Sequence, residues 1–255
     1  MDNTTLFSGR VDDYKRFRPT YPQAIIGFLK KVGAFSPQSV AADIGAGTGI
    51  LTRMLITECQ QVFAVEPNQD MYRALEELKH SHPAWDIQLV SATGENTTLE
   101  TSSIDLITIA SALHWLDLDS AKKEFRRILK PDGYIAIFYN ERDREHDVFQ
   151  QEYQAVFARY FPDRKPGGHN RFSINDYRRF FDGEMTTYTV LHRQEVDYEG
   201  LVGLSRSKSS YPKENRALCE QIERDLQQVF ERFKKPDGLI DLTYYACVYL
   251  GQFKA

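Results

Sequence analysis

Val40-Ala41-Ala42-Asp43-Ile44-Gly45-Ala46-Gly47-Thr48-Gly49 is a short apolar run that ends in an acid and three alternating glycines. Ile50, Leu51, Met54 and Leu55 then recur at helical spacing, so the stretch reads as strand, glycine loop, helix. Glycines let the backbone turn sharply and let a ligand approach it closely. Glu66 closes the next apolar run, Val62 to Val65, and a carboxylate at the end of a second strand can accept both hydroxyls of a ribose. A dinucleotide fingerprint, G-x-G-x-x-G, calls for glycine at position 50, where this chain has Ile50. The pattern present is G-x-G-x-G with Asp43 just before it. It suits a nucleoside with an amino-acid tail and no phosphate, because Asp43 repels a pyrophosphate but can anchor an ammonium group, directly or through water.

The alternation continues outward. Val62 to Val65, Ile87 to Val90, Ile104 to Ala110 and Tyr134 to Tyr139 read as strands, with helices over Met71 to Leu78 and Ala121 to Leu129. Leu129-Lys130-Pro131-Asp132-Gly133 reads as a stop and turn in which Gly133 supplies positive φ. Upstream, Ile25, Ile26 and Leu29 mark a first, outlying helix over Pro22 to Val32. Strands alternating with helices imply an α/β fold with a parallel sheet covered on both faces. Beyond Asn140 the pattern changes. The run Glu141 to Asp147 reads as a solvated helix start, followed by an aromatic helix with Phe149, Tyr153, Phe157 and Tyr160 and a loop over Pro162 to Gly168. A helix over Ile174 to Phe181, a strand over Met185 to Val196, a helix opened by Pro212 and a last strand over Leu242 to Phe253 complete the chain. The expected organisation is one domain over 1–255. It comprises an N-terminal cap helix region (1–33), a cofactor-binding core (34–139), a helical insertion or lid (140–184) and C-terminal strands and helix completing the sheet (185–255).

With 255 residues, 42% of them hydrophobic, the chain can bury a substantial core. A net charge of -4 disfavours a strongly basic nucleic-acid binder. The longest apolar-looking run, Ile104 to Leu116, is interrupted by Asp105 and His114, so no membrane span is expected. Nothing after Met1 reads as a secretory leader, which makes a cytoplasmic location the expectation. Cys59, Cys219 and Cys247 are widely spaced and read as reduced, buried residues. His80 and His82 flank Ser81 in a polar loop; no spacing suggests a metal site. Ser111 lacks the G-x-S-x-G elbow of an α/β-hydrolase.

Taken together, these motifs resemble the class I S-adenosylmethionine-dependent methyltransferases, specifically the methyltransferase type 11 and trans-aconitate methyltransferase-like branch. The resemblance is strong from Phe7 to Tyr139 and loose beyond. It implies that Asp43, Gly45, Ala46, Gly47, Gly49 and Leu51 border the methionine part of the cofactor, S-adenosyl-L-methionine. Glu66 would meet the ribose, Pro67 and Met71 the adenosine, and Thr93, Gly94 and Glu95 the adenine side. Ala110 and Ser111 would lie beneath the sulfonium. Tyr14-Lys15-Arg16-Phe17-Arg18-Pro19-Thr20-Tyr21-Pro22 resembles the family's N-terminal signature, in which Tyr14 and Arg18 would hold the cofactor's carboxylate. The implied sheet is seven-stranded, in the order 3-2-1-4-5-7-6, with the last strand antiparallel.

The implied chemistry is in-line displacement at a sulfonium methyl, which alignment and water exclusion can accelerate without a strong base. His114 is the base candidate, or else a histidine that only packs at the strand end. Tyr21, Trp115, Tyr139, Ser205 and Ser207 are the substrate-pocket candidates, each with a plain packing reading beside it. Arg142 or Arg144 could salt-bridge an acidic acceptor. The expected partner is a small methyl acceptor, carboxylate-bearing or aromatic, under a lid made of the first helix and the insertion; no nucleic acid or membrane partner and no metal is expected, and the chain would be a monomer or homodimer. Alternatives remain. A nucleic-acid or protein methyltransferase is one, although Ala110-Ser111-Ala112-Leu113 in place of N/D-P-P-Y/F speaks against base methylation. A non-catalytic S-adenosylmethionine-binding scaffold would keep the same glycines, and a nicotinamide oxidoreductase is disfavoured by Ile50.

Overall fold

Apolar runs at strand and helix periods become successive β-α units in the computed structural model, which describes residues 8–143, 145–162 and 172–253. Arg144 and most of the Pro162 to Gly168 loop lie outside the described residues. The strands are β1 (Val40–Ile44), β2 (Gln61–Val65), β3 (Ile87–Val90), β4 (Ile104–Ala110), β5 (Leu129–Arg142), β6 (Met185–Val196) and β7 (Ile240–Gly251). The helices are α1 (Val11–Phe17), α2 (Gln23–Lys31), α3 (Ile50–Ile56), α4 (Gln69–Ser81), α5 (Leu118–Ile128), α6 (Val148–Tyr160), α7 (Ile174–Phe180), α8 (Tyr198–Arg206) and α9 (Arg216–Phe233). The sheet has seven strands in the order β3-β2-β1-β4-β5-β7-β6. Neighbours from β3 to β5 pair in parallel, and β7 runs antiparallel to both β5 and β6. This is the order that the resemblance implies.

Helices cover both faces of the sheet. Ile25, Ile26 and Leu29 of α2, Leu51 and Leu55 of α3 and Leu75 of α4 form one core layer with β1, β2 and β4. Phe125 of α5, with Tyr177 and Phe180 of α7, forms the other. The inner strands are therefore buried from both sides, which is why their sequences read as continuous apolar runs. Helix starts follow local capping chemistry: Asn68 accepts from the Met71 N–H and Asp117 from the Ser120 N–H.

A third core lies beyond the ends of the parallel strands. The last residue of β4, Ala110, pairs with Phe138, whereas β5 continues to Arg142 beside Tyr244 of β7. On this overhang, Tyr153 and Phe157 of α6, Leu201 and Leu204 of α8, Ile222 and Leu226 of α9 and Tyr244 pack together. Among the described residues no helix is long and apolar enough to cross a membrane.

Several sequence expectations change. Leu129 to Gly133 is a bulge rather than a turn: Ile104 pairs with Leu129 and Leu106 with Tyr134. Gly133 is not in the positive-φ region; a Cβ there would fall 2.6 Å from Leu129 Cγ, so close packing requires the glycine. Helix α9 begins at Arg216 behind Asn215, which caps Leu218, and not at Pro212. The region 1–33 divides, with α1 joining the cap and α2 lying on the sheet, where Phe28 stacks on Tyr188. The region 140–184 divides likewise: α6 belongs to the cap, and α7 stacks Tyr177 on Tyr249 of the sheet. Helices α1 and α8 had no legible periodicity. Cys219 is half-buried, while Cys59 and Cys247 are buried.

Candidate functional site

The glycine loop leaves β1 at the carboxyl edge of the sheet. Gly45, Gly47 and Gly49 all have positive φ, at 67°, 58° and 83°. Their reasons differ. At Gly45 a Cβ would lie 2.6 Å from the Ala112 Cβ, and at Gly49 it would lie 2.7 Å from Leu78. At Gly47 it meets nothing nearer than 4.0 Å, so this backbone presents an open face. Glu66 lies beside it, 7% exposed. Its Oε2 accepts from the Gly47 N–H at 2.8 Å and its Oε1 from the Asn68 N–H at 2.8 Å. Burial pushes the Glu66 carboxyl above its ordinary pKa, against the pull of these two hydrogen bonds.

Asp43 lies inside the fold. It is fully buried, Thr52 Oγ1 donates to its Oδ2 at 2.7 Å and Thr108 Oγ1 to its Oδ1 at 2.9 Å. It does not line the cavity described below, and through these two hydroxyls it ties α3 and β4 to β1. Burial pushes its pKa up to about 6, although the Thr52 and Thr108 hydroxyls pull the other way. The folded protein therefore holds this proton more tightly than the unfolded chain, and Asp43 makes stability rise as pH falls from about 6 towards 3.8. The expected size is on the order of 2 to 3 kcal/mol. Glu124, held down at about 2 by Arg127 and Thr97, acts in the opposite sense at lower pH. Urea unfolding of Asp43→Asn between pH 4 and 8, compared with wild type, isolates the Asp43 contribution; parallel pH curves would rule it out.

A cavity of about 410 Å³ opens beside the loop. Its walls include Tyr14, Arg18, Tyr21, Gly45, Ala46, Leu51, Ala110, Ser111, His114, Trp115 and Tyr139, so eleven sequence candidates converge here. Ser111 holds φ at 53°, a strained conformation for a residue with a side chain. Its N–H donates to Phe138 O at 2.9 Å, and its hydroxyl shares a hydrogen bond with Tyr21 at 3.3 Å. His114 stands in a short 3-10 turn, Leu113–Trp115, with its ring 4.6 Å from Trp115 and 6.2 Å from Tyr139. Burial raises the pKa of both the Tyr21 and Tyr139 phenols, so both remain protonated at neutral pH. Arg18 lies 4.8 Å above the Tyr14 ring and donates to Ser207 Oγ at 2.9 Å and Ser207 O at 3.1 Å.

Pro67, Met71, Thr93, Gly94 and Glu95 lie outside this cavity, as does Glu66, in the segments that follow β2 and β3. Met71 is 2% exposed. Gly94 is pressed against Ile44 and Leu116, and Glu95 accepts from the Asp117 N–H at 2.9 Å. Ser205 and Ser207 are corrected: both are fully buried and donate to the backbone carbonyls of Leu201 and Leu204. The surface expected of them is supplied by Leu204, Lys208, Ser209 and Ser210. Arg142 is also corrected. It ends β5 and lines the cavity rather than starting a solvated helix. Gln150, Lys208 and Tyr244 also line the cavity and stand in no motif of the sequence. The period of Tyr153 and Phe157 on α6 points to Gln150, since it fixes which face of that helix turns inward, whereas Lys208 and Tyr244 lie on other segments.

A family described as "Methyltransferase domain" matches residues 42–137. An uncharacterized methyltransferase of Schizosaccharomyces pombe is 33% identical over 54% of this chain and 53% of its own length. One from Mycobacterium tuberculosis is 34% identical over 56% and 55%. The matched part of the chain thus spans about half the length of these curated relatives. Among solved structures, a candidate type II methyltransferase from Anaeromyxobacter dehalogenans aligns with a TM-score of 0.63 at 21% identity, over 92% of this chain and 98% of its own. The glycine loop and strands β2 to β4 fall inside the matched segment, so residues 42–137 are similar to a methyltransferase domain, in a chain that shares the fold of the Anaeromyxobacter protein.

Proposed function

We propose that the protein transfers a methyl group from S-adenosylmethionine to a small-molecule acceptor held in the 410 Å³ cavity. The observation that carries this reading is the meeting of the glycine loop, the strained Ser111 corner and the cap in one cavity at the carboxyl edge of the sheet. Ligands of open α/β sheets bind at that edge.

The residues present fit the cofactor. Gly47 leaves its face open to a ligand. Each Glu66 oxygen accepts one backbone N–H and keeps a lone pair for a ribose hydroxyl. Tyr14 and Arg18 offer a hydroxyl and a guanidinium to a carboxylate. Bound S-adenosylmethionine supplies a methyl group on a sulfonium, an already activated leaving group. The chain's part is alignment and exclusion of water, for which Tyr21, Ser111 and Tyr139 form one wall and residues of α6 and α8 another. The protonated phenols of Tyr21 and Tyr139 can hydrogen-bond but not act as bases, which leaves His114 as the imidazole in the cavity able to accept a proton from an acceptor. The walls around the cavity favour a small acceptor over a nucleic acid or folded protein.

Calorimetric titration with S-adenosylmethionine, S-adenosylhomocysteine and NAD tests the cofactor. Saturable binding of the first two alone is expected, and binding of NAD alone would sink the reading. Glu66→Ala should weaken S-adenosylhomocysteine by about 1 to 3 kcal/mol through loss of charge-assisted hydrogen bonds. An unchanged affinity would remove Glu66 from the site.

A further inference from the structure

The far end of the cavity is cationic, and among the described residues no aspartate or glutamate lines it. Arg142 projects from the overhanging end of β5, with its guanidinium 4.6 Å from the Tyr153 ring centroid and 5.8 Å from that of Tyr244. Burial opposes its charge, and the Tyr244 and Tyr153 phenols beside it favour it. Its Nη1 donates to Gln150 Oε1 at 3.3 Å. Because arginine offers only donors, Gln150 must turn its oxygen to Arg142 and its NH2 elsewhere. That NH2 is buried without a hydrogen-bond partner, on a side chain 1% exposed that lines the cavity. A buried donor left unanswered is costly, and a ligand oxygen placed against it relieves the cost. Lys208 adds a second charge, with Nζ 4.3 Å from the Tyr153 ring centroid and 4.8 Å from that of Phe157.

In the methyl-transfer reading Arg18 and Tyr14, beside Ser207, hold the single carboxylate of the cofactor. Arg142 and Gln150 stand on different elements, β5 and α6, and form a second set of donors. We propose that this set is an oxyanion subsite for the methyl acceptor: the acceptor carries a carboxylate or a phosphate ester that accepts from the Arg142 guanidinium and Gln150 Nε2. The inference rests on the methyl-transfer reading for the word acceptor, but the anion site itself is defined by the donors alone. The chain's net charge of -4 makes such a basic recess a local feature rather than part of a general attraction for anions.

The test uses the full chain saturated with S-adenosylhomocysteine. It is titrated with benzoate, phenylacetate, succinate and phenyl phosphate, each beside its neutral counterpart benzamide, phenylacetamide, succinamide or phenol. At least one anion should bind saturably while its neutral counterpart does not, and preference between benzoate and phenyl phosphate distinguishes the two oxyanions. Arg142→Gln and Gln150→Leu should each weaken that anion at least roughly ten-fold, with S-adenosylhomocysteine affinity within about two-fold of wild type. Arg142→Lys should recover part of the loss. Thermal melts check that the variants are folded. Equal binding of acids and amides, anion binding unaffected by Arg142→Gln, or no anion bound at all would overturn the proposal. Loss of S-adenosylhomocysteine binding in Arg142→Gln would overturn it too, by placing the arginine on the cofactor. If wild type does not bind S-adenosylhomocysteine, the methyl-transfer reading fails; the same panel on the unloaded protein then decides the anion site.

Discussion

Gly45→Arg is expected to abolish detectable binding of S-adenosylhomocysteine and to destabilise the fold. Gly45 has φ of 67°, where a side chain costs about 1 to 2 kcal/mol. A Cβ there would also stand 2.6 Å from Ala112 Cβ, and overpacking of this kind costs about 1 to 3 kcal/mol more. The Gly45 and Ala46 N–H groups donate to Val65 O at 2.9 and 3.1 Å, so displacing Gly45 also disturbs the junction with β2 that carries Glu66. A long cationic side chain then fills the cavity wall. Titration calorimetry and a urea melt read the two effects separately. Wild-type affinity in a folded variant would show that the ligand does not approach this loop. The milder Gly45→Ala should lose stability mainly through Ala112, and Ala112→Gly in the same chain should restore part of it, as coupled neighbours do.

The second large effect is expected at a glycine that no motif contains. A Cβ on Gly203 would fall 2.1 Å from Phe17 Cδ2, so α1 and α8 are in contact through the missing side chain. Gly203→Leu must push α1 outward, at a cost of about 1 to 3 kcal/mol. The segment displaced carries Tyr14 and leads into Arg18, whose guanidinium reaches Ser207 at the end of α8. Affinity for S-adenosylhomocysteine should fall by about ten-fold, or 1.4 kcal/mol, although no residue against the glycine loop changes. Phe17→Ala in the Gly203→Leu chain should recover part of both losses. Unchanged binding by Gly203→Leu, with a normal melt, would mean that α1 tolerates displacement and that Tyr14 and Arg18 do not hold the ligand.

The contrast between these two glycines shows how far the residues could be read without the fold. Gly45 stands in a strand-loop-helix pattern whose meaning is local, because the positive φ and the helix start depend on residues only a few positions away. Gly203 sits in a helix that showed no clean period, because its small side is matched to Phe17 from the opposite end of the chain. Gly133 lies between these cases: its place in a bulge was legible as an interruption, but the reason for glycine there, the Leu129 side chain, was not. Ser205 and Ser207 read as cavity residues in the sequence, yet their hydroxyls are spent on carbonyls one turn back in α8. The polarity of a side chain does not say which way its helix faces.

By itself the sequence determined the alternation of strands and helices, the glycine loop with Glu66 beyond it, and the absence of a dinucleotide spacing, since all of these follow from periodicity and turn chemistry within short segments. The tertiary structure alone decided how the cavity is closed and charged. Asp43, adjacent to the loop, turned inward because Thr52 and Thr108 offer it hydroxyls from a helix and a strand on either side. Arg142, in a run of charges that reads as solvated, turned into the cavity because β5 overhangs the sheet beside Tyr244 while α6 brings Tyr153 and Gln150 to it. Whether a charge is solvated or enclosed depends on which distant segments pack against it, and no local pattern carries that information.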